Sequence, residues 1–551
     1  MKKIYGNTDS LKANHKRRLE NLYRRRESSE FVISPELCHE IAKLSFEIRK
    51  QVGLLINRAG KVAFVIVGDA QQIFIPDLEN YKAVQGRLAG LKCVHTHLKN
   101  EVLSRDDLTD LVLLRLDLMA SITMNDDGTP HQIHTGFVRP SETGEPYTVL
   151  PPLYPGNLNV GCGEQIRETD DKLAQNEALY RMDGKDERAI LVSVTTAAIE
   201  EAVESLDELK ELARSSNIGV IDTILQRRKK TDPRFLLGRG KLNDIIILAM
   251  QKGATLIVFD QELNPSQIRA ITDQAEIKVI DRTQMILDIF ARRAQTKEGR
   301  LQVELAQLKY LLPRLITHNT AMSRLTGGIG GRGPGETKLE VNRRRVRDRI
   351  ATLQKAVDRV KKQRGLQKSK RKKRGVPTVS IIGYTNAGKS TLLNTLTQSK
   401  VIAEDQLFAT LDPSSRRLRF PRDVEVIITD TVGFIRDLPK ELMVSFRATL
   451  EELENADVLL HVVDVSNPRF LAQIESVEKI LRELSLNTIP TINVLNKMDV
   501  VNAETLATAI RQFQGIPISA MKKPSLVPLL DKIEGMVSLS PIGYAANGDE
   551  I

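Results

Sequence analysis

The 551-residue chain has no tryptophan, and aromatic residues make up only 4% of it. Surfaces that read nucleic-acid bases by stacking need such rings, so any nucleic-acid contact here falls on phosphates and is strongly salt-dependent. Cysteine is almost as scarce. Cys38, Cys93 and Cys162 are odd in number and far apart, which argues against a disulfide framework or a zinc ribbon and fits a reducing cytoplasm. No apolar run reaches the roughly 18–20 residues needed to span a bilayer. No apolar segment follows the charged start Met1-Lys2-Lys3, so no secretory signal is expected. Nothing in the pattern demands a dimer, and a monomer is the expectation.

Basic residues are abundant. The net charge is +11, which favours a polyanionic partner. The excess is concentrated. Residues 361–374 read KKQRGLQKSKRKKR without one acid, Lys370 and Arg371 among them, and Arg343, Arg344, Arg345 and Arg347 lie just upstream. One reading is a solvated linker; the other, favoured by the upstream arginines, is an RNA footprint.

A chain of this length predicts several domains. Residues 1–185 read as an α/β module: a strand at 61–67, a helix at 104–119, loop at 140–155, and a polar linker over 175–186. Residues 186–282 form a second α/β unit. Strands at 189–194, 219–221, 255–260 and 277–281 alternate with helix, which implies a mostly parallel sheet. Residues 283–375 read as a helical hairpin. Its first helix covers 283–325, with Pro313 expected to kink it, and its second runs from 336 to about 364. The glycine-rich tip at 326–335 carries Arg324 and Arg332 beside and within it. Residues 376–538 form a further domain, and 539–551 a tail.

That domain carries the sharpest signal. Gly383-Tyr384-Thr385-Asn386-Ala387-Gly388-Lys389-Ser390 is a GxxxxGK[ST] phosphate-binding loop. It follows a strand-like run at 379–382 and opens a helix from Thr391, the context that the motif requires. The glycines let backbone N–H groups approach oxyanions. Lys389 neutralises the β and γ phosphates, and Ser390 offers a hydroxyl to Mg2+. Asp430 closes the next strand and suits the outer magnesium shell, with the Gly433 N–H placed to sense the γ-phosphate. Asn496-Lys497-Met498-Asp499 follows a strand. The Asp499 carboxylate can accept both N1–H and N2–H2 of guanine, a donor pair that adenine lacks. Ser519-Ala520 offers a backbone N–H toward guanine O6. Thr410 is the switch threonine, a third magnesium contact. The pattern predicts a GTP-hydrolysing switch. Phe434 stands directly after Gly433, where many Ras-like enzymes keep a water-orienting glutamine, so slow intrinsic turnover stimulated by a partner is expected. The Asn386 carbonyl is positioned in sequence to hold a monovalent cation such as K+ beside the phosphates.

Several further runs resemble one family of GTPases. They are Asp281-Arg282-Thr283, residues 287–290 (LDIF), 301–308 (LQVELAQL), 310–315 (YLLPRL), 330–337 (GGRGPGET), 430–435 (DTVGFI) and 235–242 (FLLGRGKL). Over about residues 188–537 the chain resembles the HflX family of ribosome-associated GTPases. The resemblance implies binding to the large ribosomal subunit and its RNA, with the hairpin tip toward the peptidyl-transferase centre and GTP-dependent dissociation of stalled or idle ribosomes. Other readings are a GTP-gated RNA-binding module that splits nothing, a bifunctional enzyme with zinc chemistry in residues 1–185, and an ATP-driven RNA remodeller resting on residues 235–242, where a simple turn at Gly238-Arg239-Gly240-Lys241 is the competing reading. Residues 1–185 exceed the shorter relatives. There His95-Thr96-His97, with Ser104 and Asp107, resembles the HxH…SxxD zinc signature of JAMM-type metallopeptidases. Leu98 replaces the usual proline, the spacing is one residue short, and Glu47 is the nearest acid to the strand near Gly53. A degenerate, non-catalytic relative of that fold is expected.

Overall fold

A computed structural model describes residues 3–9, 11–78, 81, 86–141, 144–158, 161–182, 187–274, 277–315, 338–372, 376–397, 408, 414–420, 425–431, 433–436 and 453–538. By compactness the chain divides into two units. One comprises residues 1–190, 237–257 and 275–278; the other comprises residues 191–236, 258–274 and 279–551.

The first unit is built on a seven-stranded mixed sheet. Its strands are β1 (Ile4–Gly6), β2 (Val52–Asn57), β3 (Val62–Val67), β4 (Leu91–Thr96), β5 (Leu118–Met124), β6 (Pro130–Val138) and β7 (Tyr147–Val149), in the order β1-β3-β2-β4-β5-β6-β7. Its helices include α1 (Ala13–Leu22), α2 (Pro35–Ile48), α3 (Arg105–Leu113) and α4 (Gly163–Met182). Every residue of β5 is buried, as expected of a strand covered on both faces. Ser34 caps α2, accepting from the Leu37 N–H, with Pro35 in the first turn. Leu37, Ile41 and Leu44 then fall at helical spacing into the core.

Three expectations fail in this unit. The helix read over 104–119 stops at Leu113, and Met119 lies in β5. The apolar run there fits either structure, and Arg115, in the left-handed region at φ 48°, breaks the helix. The stretch at 140–155 includes the short strand β7, and the linker expected from 175 is helical as far as Met182.

A four-stranded sheet follows, with β8 (Arg188–Thr195), β9 (Gly219–Arg227), β10 (Leu256–Phe259) and β11 (Lys278–Asp281) in the order β11-β10-β8-β9. Its helices are α5 (Ile199–Ser215), α6 (Arg239–Gln251) and α7 (Pro265–Thr272). The single helix expected from 283 is two: α8 (Arg282–Arg293) and α9 (Lys297–Arg314). Ala294 leaves α8 in extended conformation, and Thr296 restarts the helix by accepting from the Gly299 N–H. Pro313 lies one residue before the end of α9. The glycine-rich tip, with Arg324 and Arg332, lies outside the described residues. α10 (Lys338–Lys372) runs on through the basic stretch instead of ending near Arg364. Leu305 on α9 packs with Leu353 and Val357 of α10, flanked by Leu301, Leu308 and Ile350.

The last sheet holds β12 (Thr378–Gly383), β13 (Ser414–Arg419), β14 (Glu425–Asp430), β15 (Val458–Asp464), β16 (Thr491–Asn496) and β17 (Ile516–Pro517), in the order β13-β14-β12-β15-β16-β17. All neighbours are parallel except β13 and β14. Helices α11 (Lys389–Thr397), α12 (Phe470–Glu483), α13 (Ala503–Phe513) and α14 (Val527–Ser538) complete the domain. Val379, Ile381, Ile428, Leu460 and Val494 share a core with Leu393. Buried parallel strands followed by loops place the chemistry at the strands' carboxyl ends.

Candidate nucleotide site

Strand β12 ends at Gly383, where φ is +146° and a Cβ would stand 2.2 Å from the Val462 carbonyl oxygen on β15. Only glycine fits there. Asn386 follows at φ 63° and Gly388 at φ 90°, a path favoured by residues that tolerate left-handed backbone. A Cβ on Gly388 would lie 2.3 Å from Asn496 Nδ2. Helix α11 begins immediately, so its free N–H groups and positive dipole end meet the loop.

Lys389 is buried, and its ammonium donates to the Tyr384 carbonyl at 2.7 Å. Burial, only partly offset by Asp430, brings its pKa down to about 8. The Ser390 hydroxyl donates to Asp430 Oδ2 at 2.7 Å, and Asp430 is fully buried at the end of β14. Thr385 Oγ1 is buried and has no hydrogen-bond partner among the described residues, a polar atom held where an oxyanion would complete it. A Cβ on Gly433 would meet Thr385 Cγ2 at 2.8 Å and Lys389 Nζ at 3.0 Å. This glycine therefore lies directly against the loop. Thr391 lies in the first turn of α11, its carbonyl accepting from the Thr395 hydroxyl.

On the opposite side Asn496 joins three motifs. Its Nδ2 donates to the Ala387 carbonyl at 2.8 Å, and its Oδ1 accepts from the Ala520 N–H at 2.9 Å. The N–H that sequence spacing aimed at guanine O6 is here engaged by Asn496. Lys497, at φ 63°, pairs with Asp464 at 2.7 Å. Asp499 is exposed, with Lys522 3.6 Å away. Its own backbone N–H and the Ser519 hydroxyl hold its carboxyl below the usual range. Thr410 lies outside the described residues.

Phe434 has a structural role that its position in the motif does not reveal. It is buried, its carbonyl accepts from the Thr385 N–H at 2.8 Å, and its N–H donates to the Gly383 carbonyl at 3.1 Å. Tyr384 extends this link. Its hydroxyl donates to Glu208 on α5 and accepts from the Arg436 N–H at 2.8 Å. Buried Arg282 pairs with Glu208 and with Asp260 at 3.1 Å, and donates to the Arg436 carbonyl at 3.3 Å. Burial opposes the Arg282 charge, but the two carboxylates outweigh it and raise its pKa. His461 on β15 is a further group that the motifs did not show. Burial, with Lys389 adding to it, pushes its pKa down to about 4.

The remaining sequence candidates fall on different elements. Arg343 and Arg344 lie on α10, and Lys370 and Arg371 lie near the end of the same helix. Gly238 is the N-cap of α6, and Arg239, Gly240 and Lys241 form the first turn of that helix. In the first unit His95, His97 and Asp107 converge, with ligand atoms within 4.8 Å of one another. Glu47 is not among them; it pairs with Arg18. Among the described residues no helix is long and apolar enough to cross a membrane.

Residues 203–291 match the N-terminal region of a GTP-binding GTPase family, residues 293–371 its middle region, and residues 378–497 a family described as 50S ribosome-binding GTPase. The chain is 47% identical over 363 residues to the GTPase HflX of Caldanaerobacter subterraneus, covering 66% of this chain and 83% of that protein. To the GTPase HflX of Escherichia coli it is 46% identical over 315 residues, covering 57% and 74%. A solved GTP-binding protein from Sulfolobus solfataricus in complex with GDP is 25% identical, covers 64% of this chain and 99% of that one, and superposes with a TM-score of 0.35.

Proposed function

The chain belongs to the HflX family of GTPases, and from that premise we propose that it acts as a GTP-driven switch on the large ribosomal subunit and dissociates stalled or idle ribosomes. The observation that carries the nucleotide part is the junction at Asn496, which ties the phosphate loop through Ala387 to the base-reading loop through Ala520. GTP lies along this junction, with its phosphates over Thr385–Ser390 and guanine against Asp499. Ser390, Asp430 and Thr410 hold Mg2+, which neutralises charge developing on the phosphates. Lys389, buried and short of water, is an electrostatic partner for that charge. The Asn386 side-chain carbonyl is the candidate K+ ligand, so turnover is expected to be faster in potassium than in sodium, and Asn386→Ala to remove the difference.

Two findings support the ribosomal partner. The family matched over residues 378–497 is described as 50S ribosome-binding, and α10 carries Lys and Arg far in excess of acids along its whole length. Ribosomal RNA is the partner of Arg324, Arg332, Arg343, Arg344, Lys370 and Arg371, and the protein works as a ribosome-associated cytoplasmic monomer. The test is GTP turnover with and without large subunits in potassium buffer, alongside Lys389→Ala and Asp499→Asn. Strong stimulation that both variants lose is expected. Bound GTP without stimulation would replace this reading with a GTP-gated RNA-binding module.

A further inference from the structure

Asp107 is a half-buried carboxylate, and a carboxylate drawn partly out of water favours a cation beside it. In the first unit the only charge partners of Asp107 among the described residues are two imidazoles: His95 Nε2 at 3.2 Å from Oδ1 and His97 Nε2 at 3.4 Å from Oδ2. Those two ring nitrogens are themselves 2.9 Å apart.

The backbone builds this convergence. His95 on β4 and His97 just beyond it are two residues apart and share a face, and the His97 N–H continues the ladder by donating to the Ile122 carbonyl at 2.8 Å. Asp107 occupies the first turn of α3. Its Oδ2 accepts from the Ser104 N–H and hydroxyl, at 2.8 and 2.7 Å, so the carboxylate is fixed by the cap of its own helix. The His97 Nδ1 lies 2.9 Å from the Glu101 carbonyl. That bond puts the proton on Nδ1 and leaves Nε2 with a lone pair aimed at the cluster. His95 is fully buried and His97 is 3% exposed.

We propose that His95 Nε2, His97 Nε2 and the Asp107 carboxylate bind one divalent transition-metal ion, zinc above all, with a remaining coordination position for water. Two imidazoles and one carboxylate suit zinc, whose sites with three protein ligands keep a fourth position open. Calcium and magnesium prefer all-oxygen shells. Cys93 occupies the same face two residues before His95 but is not part of the converging group.

The test uses the full chain, stripped with chelator and titrated with Zn2+ against a chromophoric competitor, with Co2+ as a spectroscopic probe. One zinc per chain is expected, with a rise in the melting temperature, and tetrahedral Co2+ bands without a thiolate charge-transfer band. His97→Asn and Asp107→Asn should abolish stoichiometric binding while leaving GTP turnover unchanged, which shows that the chain is folded. Cys93→Ser should bind as before. Absence of stoichiometric zinc in the parent chain, retention of it in both ligand variants, or its loss in Cys93→Ser would each overturn the assignment.

Discussion

In the six-stranded sheet, polar groups gather where strands end and the chain bends. In the seven-stranded sheet, His95 lies within a strand, His97 just beyond it, and Asp107 in the first turn of a helix. The first arrangement is made largely of backbone. Gly383, Asn386 and Gly388 set the path of the loop, and Lys389 and Ser390 supply the side chains at its end. The second is made of side chains alone, locked by Ser104 and the Glu101 carbonyl. A backbone cradle is intolerant of added atoms, whereas a side-chain cluster is intolerant of lost ones. The GTPase loop can therefore be broken by a methyl group, and the His-Asp cluster by a deletion.

The largest effect expected from that contrast is at Gly388. Alanine there would strain a φ of 90° and drive a carbon into Asn496 Nδ2, 2.3 Å away. GTP binding measured by titration should weaken by about 100-fold or more, since strain and a lost buried hydrogen bond act together. Unchanged affinity would remove the backbone argument. Asp499→Asn sharpens the base side. It should weaken GTP by about 2–4 kcal/mol and relieve the penalty against xanthine nucleotides, because an amide offers a donor where guanine needs only acceptors. Competition binding reads both.

A third prediction concerns pH. His461 has a folded pKa of about 4 against 6.5 for the ordinary imidazole. Below pH 6.5 the unfolded chain takes up a proton at this residue, and the folded chain does not until about pH 4. Its contribution is full above pH 6.5 and is lost as pH falls through that window, by about 3 kcal/mol in all. Denaturant melts between pH 4 and 7 should show that slope, flattened in His461→Asn. The smallest effect is expected from Tyr384→Phe. Removing the hydroxyl leaves Glu208 and the Arg436 N–H short of a partner and costs about 1–2 kcal/mol. If the melt of the second unit does not move, Tyr384 is not a structural tie.

Much of the nucleotide site was legible because it is local. A phosphate loop, a strand-end Asp and a base-reading tetrapeptide each lie within a few residues, so turn chemistry writes them into short motifs. What joins them is not local. Tyr384 and Glu208 are 176 positions apart, and Asn496 reaches Ala387 across 109. The resemblance had marked Asp281-Arg282-Thr283 without a reason. The structure supplies one: Asp281 caps α8 and accepts from the Leu263 N–H and the Tyr310 hydroxyl, while Arg282 crosses to Glu208 and Asp260. The helix misread at 104–119 failed for a physical reason. The apolar residues of 111–119 continue across the helix end into β5 with only Arg115 and Asp117 between them, and the left-handed residue that ends the helix is an arginine, not a glycine. At the His-Asp cluster, the resemblance to the HxH…SxxD signature picked out the three residues but could not show that the first turn of α3 faces the end of β4.

Helix α9 is pinned near its end. The Tyr310 hydroxyl lies 2.5 Å from both oxygens of Asp281, and the Arg314 guanidinium stacks 3.4 Å above the Tyr310 ring. The partner helix α10 spans 35 residues, a rod of about 50 Å at about 1.5 Å per residue. Such a rod multiplies angle into distance: a tilt of about 5° at one end carries the other through roughly 4 Å on the same rise per residue. Tyr310 and Asp281 fix α9, the helix on which Leu353 and Val357 of α10 pack, so that buried hydroxyl–carboxylate contact bears on the base from which the rod is aimed.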